Sequence, residues 1–232
     1  MKKVLSSAVL CLLALCMICI GFVNIDAVAF AANVADKDID ISSRSAILME
    51  YQSGNVLFSK DETKRLPVAS MVKMMTILIS LEELQAGNVA FDTKITTTEN
   101  ASSMGGSQVF LDPYVDYSFE DLLKSVIMAS ANDASVALAE YFNGNEKAFT
   151  NRMNKRAKEL GMNDTHYANC TGLPAPEQYS SAKDTAILLK EILKHEEYHK
   201  FSTIWMDKLV HPSGRETELV NTNRLIRYYQ GC

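Results

Sequence analysis

The chain has 232 residues, 23 basic and 28 acidic side chains, a formal net charge of −5 and 47% hydrophobic content. A mildly acidic chain with no basic patch and no basic–aromatic interleaving speaks against a nucleic-acid partner. Three of its five cysteines, Cys11, Cys16 and Cys19, crowd the first segment, so the remainder is not a disulfide-built scaffold, and its length suits one large domain or two small ones.

Lys2 and Lys3 precede an almost wholly apolar run from Val4 to Val23, followed by the small-x-small sites Ala27-Val28-Ala29 and Ala29-Phe30-Ala31. This pattern predicts a secretory signal peptide over residues 1–31, removed after export. A run of that length also meets the requirement of a retained membrane anchor; the small-x-small sites directly after it favour cleavage. Leu15 before Cys16 is too large for a lipoprotein site. The remaining domain is residues 32–232.

Ala46 to Met49 and Val56 to Phe58 flank Gln52-Ser53-Gly54-Asn55 and predict a β-hairpin. After Pro67, the apolar positions Met71, Val72, Met74, Met75, Ile77, Leu78 and Leu81 predict a buried helix from Ala69 to Leu84, ended by Gly87-Asn88. Thr93 to Thr98 reads as a short strand and Ser102 to Gly106 as a loop. Ser118-x-x-Asp121 opens a helix from Phe119 to Ala129, and another runs from Asp133 to Phe142. Ala148 to Leu160 is amphipathic and stops at Gly161. Thr171 to Pro176 is a loop, and Ser181-x-x-Asp184 caps a helix to about His195. Strands return at Trp205 to Val210 and Glu218 to Val220, around the turn Pro212-Ser213-Gly214. Strands, then helices, then strands predict a mixed α+β fold, an antiparallel sheet with a helical insert.

Two short motifs carry chemistry. Ser70-Met71-Val72-Lys73 places a serine and a lysine on one helix face. Serine needs a base to become a nucleophile, and a lysine buried among Met, Ile and Leu side chains is pushed toward its neutral, basic form. The Ser70 N–H, at a helix start, can donate to a developing oxyanion. Ser130-Ala131-Asn132 lies between two apolar helices, a poor place for a merely structural polar loop. Ser180-Ser181-Ala182-Lys183 repeats the first spacing, but in a polar capping context, and Ser53-Gly54-Asn55 is explained as a turn. His195 and His199, four apart, read as a solvated helix face. No Cys/His cluster has zinc spacing. A Cys170–Cys232 bridge has nothing in the sequence to support it.

Pro67-Val68-Ala69-Ser70-Met71-Val72-Lys73-Met74-Met75-Thr76 resembles the active-site helix of the serine D-alanyl-D-alanine carboxypeptidases, the low-molecular-mass penicillin-binding proteins. Gly105-Gly106-Ser107, Met128 to Ala134, Leu160 to Thr165, Thr171 to Pro174 and Asn221 to Leu225 resemble the same family. The resemblance implies a β-lactamase/transpeptidase-like fold. It implies catalysis by Ser70 as nucleophile, Lys73 as base and Ser130 as proton relay, with Asn132 binding the substrate amide and helping to fix Lys73. The implied substrate is a peptidoglycan stem peptide ending in D-Ala-D-Ala, the implied inhibitors are β-lactam antibiotics, and no metal or organic cofactor is implied. The expected location is the bacterial cell envelope, with membrane association only through an uncleaved signal or a C-terminal tail beyond this sequence.

The family's third motif, Lys-Thr-Gly or Lys-Ser-Gly, does not occur before Cys232. A chain truncated or incomplete at its C-terminus is therefore expected. Loss of one oxyanion donor typically costs about a hundred- to a thousandfold in rate, so this chain is expected to be impaired or inactive. Two rivals remain open. One is a class A-like β-lactamase, although such enzymes carry Ser-Asp-Asn rather than Ser-Ala-Asn and need a separate deacylating glutamate, for which Glu177 lies in a plausible loop without support from its context. The other is a non-catalytic envelope protein that keeps only the packing.

Overall fold

The computed structural model describes residues 40–229. The predicted signal segment and Cys232, with its suggested bridge, lie outside those residues. Among the described residues the chain divides into two compact units, 40–44 with Leu48–Ser59, and Ser45–Ile47 with 60–229.

In the first unit, the chain turns between β1 (Ala46–Met49) and β2 (Val56–Lys60) through a closed loop. Glu50 N–H donates to Asn55 O, and Gly54 N–H donates to Glu50 O, each at 2.9 Å. The Glu50 carboxylate accepts from the N–H groups of Gln52 and Ser53. Gly54 sits at φ +76, where a side chain would be strained. Ser53-Gly54-Asn55 is thus a turn, as its residue types imply.

The second unit begins with a 3-10 turn at Ala69–Val72, which runs into α1 (Lys73–Gln85). Then come β3 (Lys94–Thr96), α2 (Glu99–Ser102), β4 (Asp116–Ser118), α3 (Phe119–Ala129), α4 (Asn132–Asn143) and α5 (Glu146–Glu159). The unit continues with α6 (Ala182–Ile192), α7 (Glu196–Ser202), β5 (Met206–Val210), β6 (Glu216–Val220) and α8 (Leu225–Tyr228). Helix α1 packs against α3, α4, α5 and α6. That placement explains why it is apolar on most faces: Val72, Met75, Leu78, Ile79 and Leu81 are all 0–1% exposed. Each such side chain stabilises the fold by about 1.5–3 kcal/mol relative to remaining in water. Thr98, Ser118, Asn145 and Ser181 each accept a backbone N–H at the start of α2, α3, α5 and α6. Ser181 in the second Ser-x-x-Lys match is therefore a cap.

The mixed α+β class agrees with expectation. The strands, however, form three separate two-stranded sheets, β1–β2, β3–β4 and β5–β6, in place of a single sheet. β3 and β4 pair antiparallel with Ile95 opposite Tyr117, and β5 and β6 pair antiparallel with Leu209 opposite Thr217. Leu209 and Leu219 alternate inward and are fully buried, and β6 lies on α3. β4 was not predicted, because Tyr117 is the only fully buried side chain in its three residues. The helix expected to reach His195 ends at Ile192, where Lys194 and His195 N–H bond to carbonyls three residues back and tighten the last turn. His195 then stands at the N-terminal boundary of the unpredicted α7 without a side-chain capping bond, and His199 Nε2 lies 3.2 Å from Leu193 O in the break. Among the described residues, no group of three or more His, Cys, Asp or Glu is placed to hold a metal ion, and no helix is long and apolar enough to cross a membrane.

Candidate active site

Ser70 lies in the 3-10 turn just before α1 and is exposed. Ala69 before it is held at φ +44, a left-handed backbone that an alanine adopts only under constraint. The Ser70 N–H belongs to the first turn, where no intrahelical acceptor exists. Lys73 is 2% exposed, and its Nζ lies 3.3 Å from Ser70 Oγ and 2.5 Å from the Thr171 carbonyl oxygen. Burial pulls the Lys73 ammonium down from 10.5 to about 8, against an opposing influence from Cys170. That influence operates only when Cys170 is ionised, and burial pushes its thiol well up, assisted by Glu146. The Cys170 S–H accordingly donates to Glu146 Oε1 at 3.3 Å, and Cys170 is a free, fully buried cysteine. At neutral pH the amine is still mostly protonated, but its uncharged fraction is far larger than that of an ordinary lysine. One N–H is committed to Thr171 O, and the lone pair can accept the Ser70 proton.

Two helices and one loop meet here through residues one turn apart. Lys73 and Thr76 share a face of α1, and Asn132 and Ser135 share a face of α4. Thr76 Oγ1 and Ser135 Oγ both donate to Cys170 O, at 3.3 and 2.8 Å. That carbonyl precedes Thr171, so these buried hydroxyls seat the loop whose next carbonyl receives Lys73.

Ser130 ends α3 in the left-handed region, at φ +55 and ψ 38, and Ala131 is extended before α4 begins at Asn132. This break leaves Ser130 half-buried. Among the described residues, no hydrogen bond links its hydroxyl to Ser70 or Lys73. Asn132 is 3% exposed and is clamped by the preceding loop: its Nδ2 donates to Gly105 O at 2.7 Å and its N–H donates to Ser107 O at 2.7 Å. The Gly105 carbonyl fixes the amide's orientation, because a reversed amide would set two acceptors face to face. Asn132 Oδ1 is then left buried without a hydrogen-bond partner among the described residues. The expectation that Asn132 also fixes Lys73 is not met by a hydrogen bond, since Lys73 is held by Ser70 and Thr171 instead. Gly106 has no room for a side chain, as a Cβ would lie 2.8 Å from Asn132 Nδ2. Asp133 anchors the same loop by accepting from Val109 and Leu111 N–H at 3.1 Å. Burial raises its carboxyl despite those bonds.

Residue types alone did not single out Thr171, Gly172, Asn169 and the Gly105–Ser107 loop. Thr171 acts through a carbonyl that any residue supplies. Gly172, at φ +85, packs against the Ala69–Ser70 peptide, and a glycine three residues after an asparagine was the available sign of such a turn. Glu177 is exposed, at φ +60, and its backbone carbonyl faces His166 Nδ1 at 2.8 Å. Among the described residues its carboxylate makes no hydrogen bond to the Ser70 site.

The family profile described as D-alanyl-D-alanine carboxypeptidase (Peptidase S11) matches residues 30–231. The chain is 44% identical over 205 residues to the D-alanyl-D-alanine carboxypeptidase DacF of Bacillus subtilis, covering 88% of this chain and 53% of that one. It is 36% identical over 208 residues to DacC of Escherichia coli, covering 85% and 50%. Its fold is similar to the crystal structure of DacD from Francisella tularensis, with TM-score 0.75, 36% identity, and coverage of 78% of this chain and 44% of that one. It is also similar to that of penicillin-binding protein 6B from Escherichia coli, with TM-score 0.76, 30% identity, and coverage of 83% and 62%. The chain spans about half the length of the curated relatives it matches.

Proposed function

Because the chain belongs to the D-alanyl-D-alanine carboxypeptidase family, we propose that it carries the reacting centre of a serine carboxypeptidase that removes the terminal D-alanine from peptidoglycan stem peptides. The observation that best supports this is an exposed serine Oγ set 3.3 Å from the Nζ of a buried lysine. Neutral Lys73 accepts the Ser70 proton as Oγ bonds to the carbonyl carbon of the penultimate D-alanine. The oxyanion that forms is met by the Ser70 N–H. The C–N bond then breaks: Ser130 gives its proton to the departing amine of D-alanine and regains one from Lys73. Water adds to the resulting ester and frees Ser70 with its proton restored. Asn132, whose carboxamide is oriented by Gly105, holds the amide of the bound peptide. Penicillins acylate the same serine, and the expected setting is the extracytoplasmic face of a bacterial envelope.

The test is release of free D-alanine from a synthetic peptide ending in D-alanyl-D-alanine. Because no Lys-Thr-Gly motif occurs in this sequence, slow release by the unaltered chain and none by Ser70→Ala is expected. Equal release by both would overturn the assignment.

A further inference from the structure

The loop between α5 and α6 contributes nothing to the serine and lysine motifs, yet two of its residues touch the two reacting groups. The Thr171 carbonyl receives Lys73 Nζ at 2.5 Å. Gly172 lies so close to the Ala69–Ser70 peptide that a Cβ there would be 2.9 Å from Ser70 N. One side chain organises both contacts. Asn169 Oδ1 accepts from Thr171 N–H at 3.2 Å, from Thr171 Oγ1 at 3.3 Å and from Gly172 N–H at 2.8 Å. Its Nδ2 donates to Leu173 O at 2.9 Å and closes the turn. A second side chain also holds this loop, without touching Asn169 Oδ1. Gln178 Oε1 accepts from Ala168 and Asn169 N–H, and its Nε2 donates to Leu173 O.

We propose that Asn169 is a positioning residue for the reaction of Ser70, setting the Thr171 carbonyl on Lys73 and Gly172 beneath the Ser70 peptide through a single carboxamide. The proposal rests on the reading of Ser70 and Lys73 as nucleophile and base. Without the carboxamide, three donors lose their acceptor and the loop lifts. Water then reaches Lys73, and the burial that lowers its titration is relieved. The turn that aims Ser70 also loses its support, and a displacement near 1 Å costs about a hundredfold in rate.

The experiment compares the unaltered chain with Asn169→Ala and Gln178→Ala, the second removing bonds to the same loop but none from Asn169 Oδ1. Acylation by a fluorescent penicillin is measured against pH, and the Lys73 midpoint is read from 13C-lysine NMR, with Lys73→Met to assign the signal. For Asn169→Ala, acylation at neutral pH is expected to slow by at least about tenfold, and the Lys73 midpoint should rise from about 8 toward the ordinary lysine value. For Gln178→Ala, thermal stability falls while both other readouts stay near those of the unaltered chain. An unmoved Lys73 midpoint in Asn169→Ala, or equal shifts in Gln178→Ala, would overturn the proposal. If Asn169→Ala does not fold, Asn169→Asp keeps the accepting oxygen. Measured well above the Lys73 midpoint, it should acylate within about tenfold of the unaltered chain, and inactivity there would count against the proposal. If the unaltered chain is not acylated at all, the reading of Ser70 fails and the positioning role falls with it, while the NMR midpoint separately shows whether Asn169 holds the Thr171 carbonyl on Lys73.

Discussion

Replacing Lys73 by methionine is expected to slow acylation of Ser70 by about a hundred- to ten-thousandfold, the range for loss of a positioned general base. Methionine fills nearly the same volume among Val72, Met75 and their neighbours, so the helix remains packed. In the unaltered chain the acylation rate should climb as pH rises through about 8 and then level, because only the neutral amine can take the Ser70 proton. Stability should change with the same group. The depression from 10.5 to about 8 corresponds to about 3 kcal/mol against the ammonium in the folded chain. Below about 8 both folded and unfolded chains hold the proton, and the full cost is felt. Between about 8 and 10.5 the unfolded chain alone holds it, so stability rises with pH across that window. The Lys73→Met variant lacks this term, so the difference in unfolding free energy between the two chains should shrink as pH rises. Chemical denaturation of both proteins along a pH series measures it. An acylation rate independent of pH from 6 to 10, or a gap that widens with pH, would contradict this role for Lys73.

Gly172→Ala is expected to cost about a hundredfold in acylation together with a clear loss of stability, at least about 1–3 kcal/mol from the backbone conformation alone. A Cβ at this position would stand 2.0 Å from Ala69 O, 2.4 Å from Ala69 C and 2.9 Å from Ser70 N. All three are backbone atoms, so no flexible side chain can yield. The position also has φ +85, which disfavours any side chain by about 1–3 kcal/mol. If the loop moves, Thr171 O leaves Lys73; if the turn moves, the left-handed Ala69 relaxes and Ser70 is turned away. Either movement separates Ser70 Oγ from Lys73 Nζ. Penicillin acylation kinetics combined with thermal melting measures both effects. Acylation within about threefold of the unaltered chain would mean that the close approach of Gly172 has no bearing on Ser70.

Residue pattern carried the parts of this site that depend on side-chain type and local spacing. Ser70 and Lys73 were readable because a lysine in an apolar helical run is costly to bury unless it is paired or reactive, and a serine stands one turn away. Lys73 is indeed buried. Ser130-Ala131-Asn132 was readable as an interruption between two helices, and the structure makes that interruption with a left-handed Ser130. Caps at Ser118 and Ser181 followed from their own chemistry. Features built from backbone groups or long-range pairing were not readable. The turn at Ala69 looked like an ordinary helix start, although its φ is positive. The carbonyl of Thr171 and the close approach of Gly172 exist only once the α5–α6 loop is folded onto α1. Turn chemistry between neighbouring strands gave the pairing of β1 with β2 and pointed to that of β5 with β6, but the pairing of β3 with the unpredicted β4 and the separation into three sheets depend on long-range contacts that alternation does not show.

Intact mass of the folded chain after incubation with a penicillin, beside Ser70→Ala, decides whether these residues form a reactive centre. A gain of one penicillin mass, mapped to the peptide that carries Ser70 and absent from the variant, is the predicted result. An unmodified chain that is folded by circular dichroism, or an adduct that persists in Ser70→Ala, would contradict it.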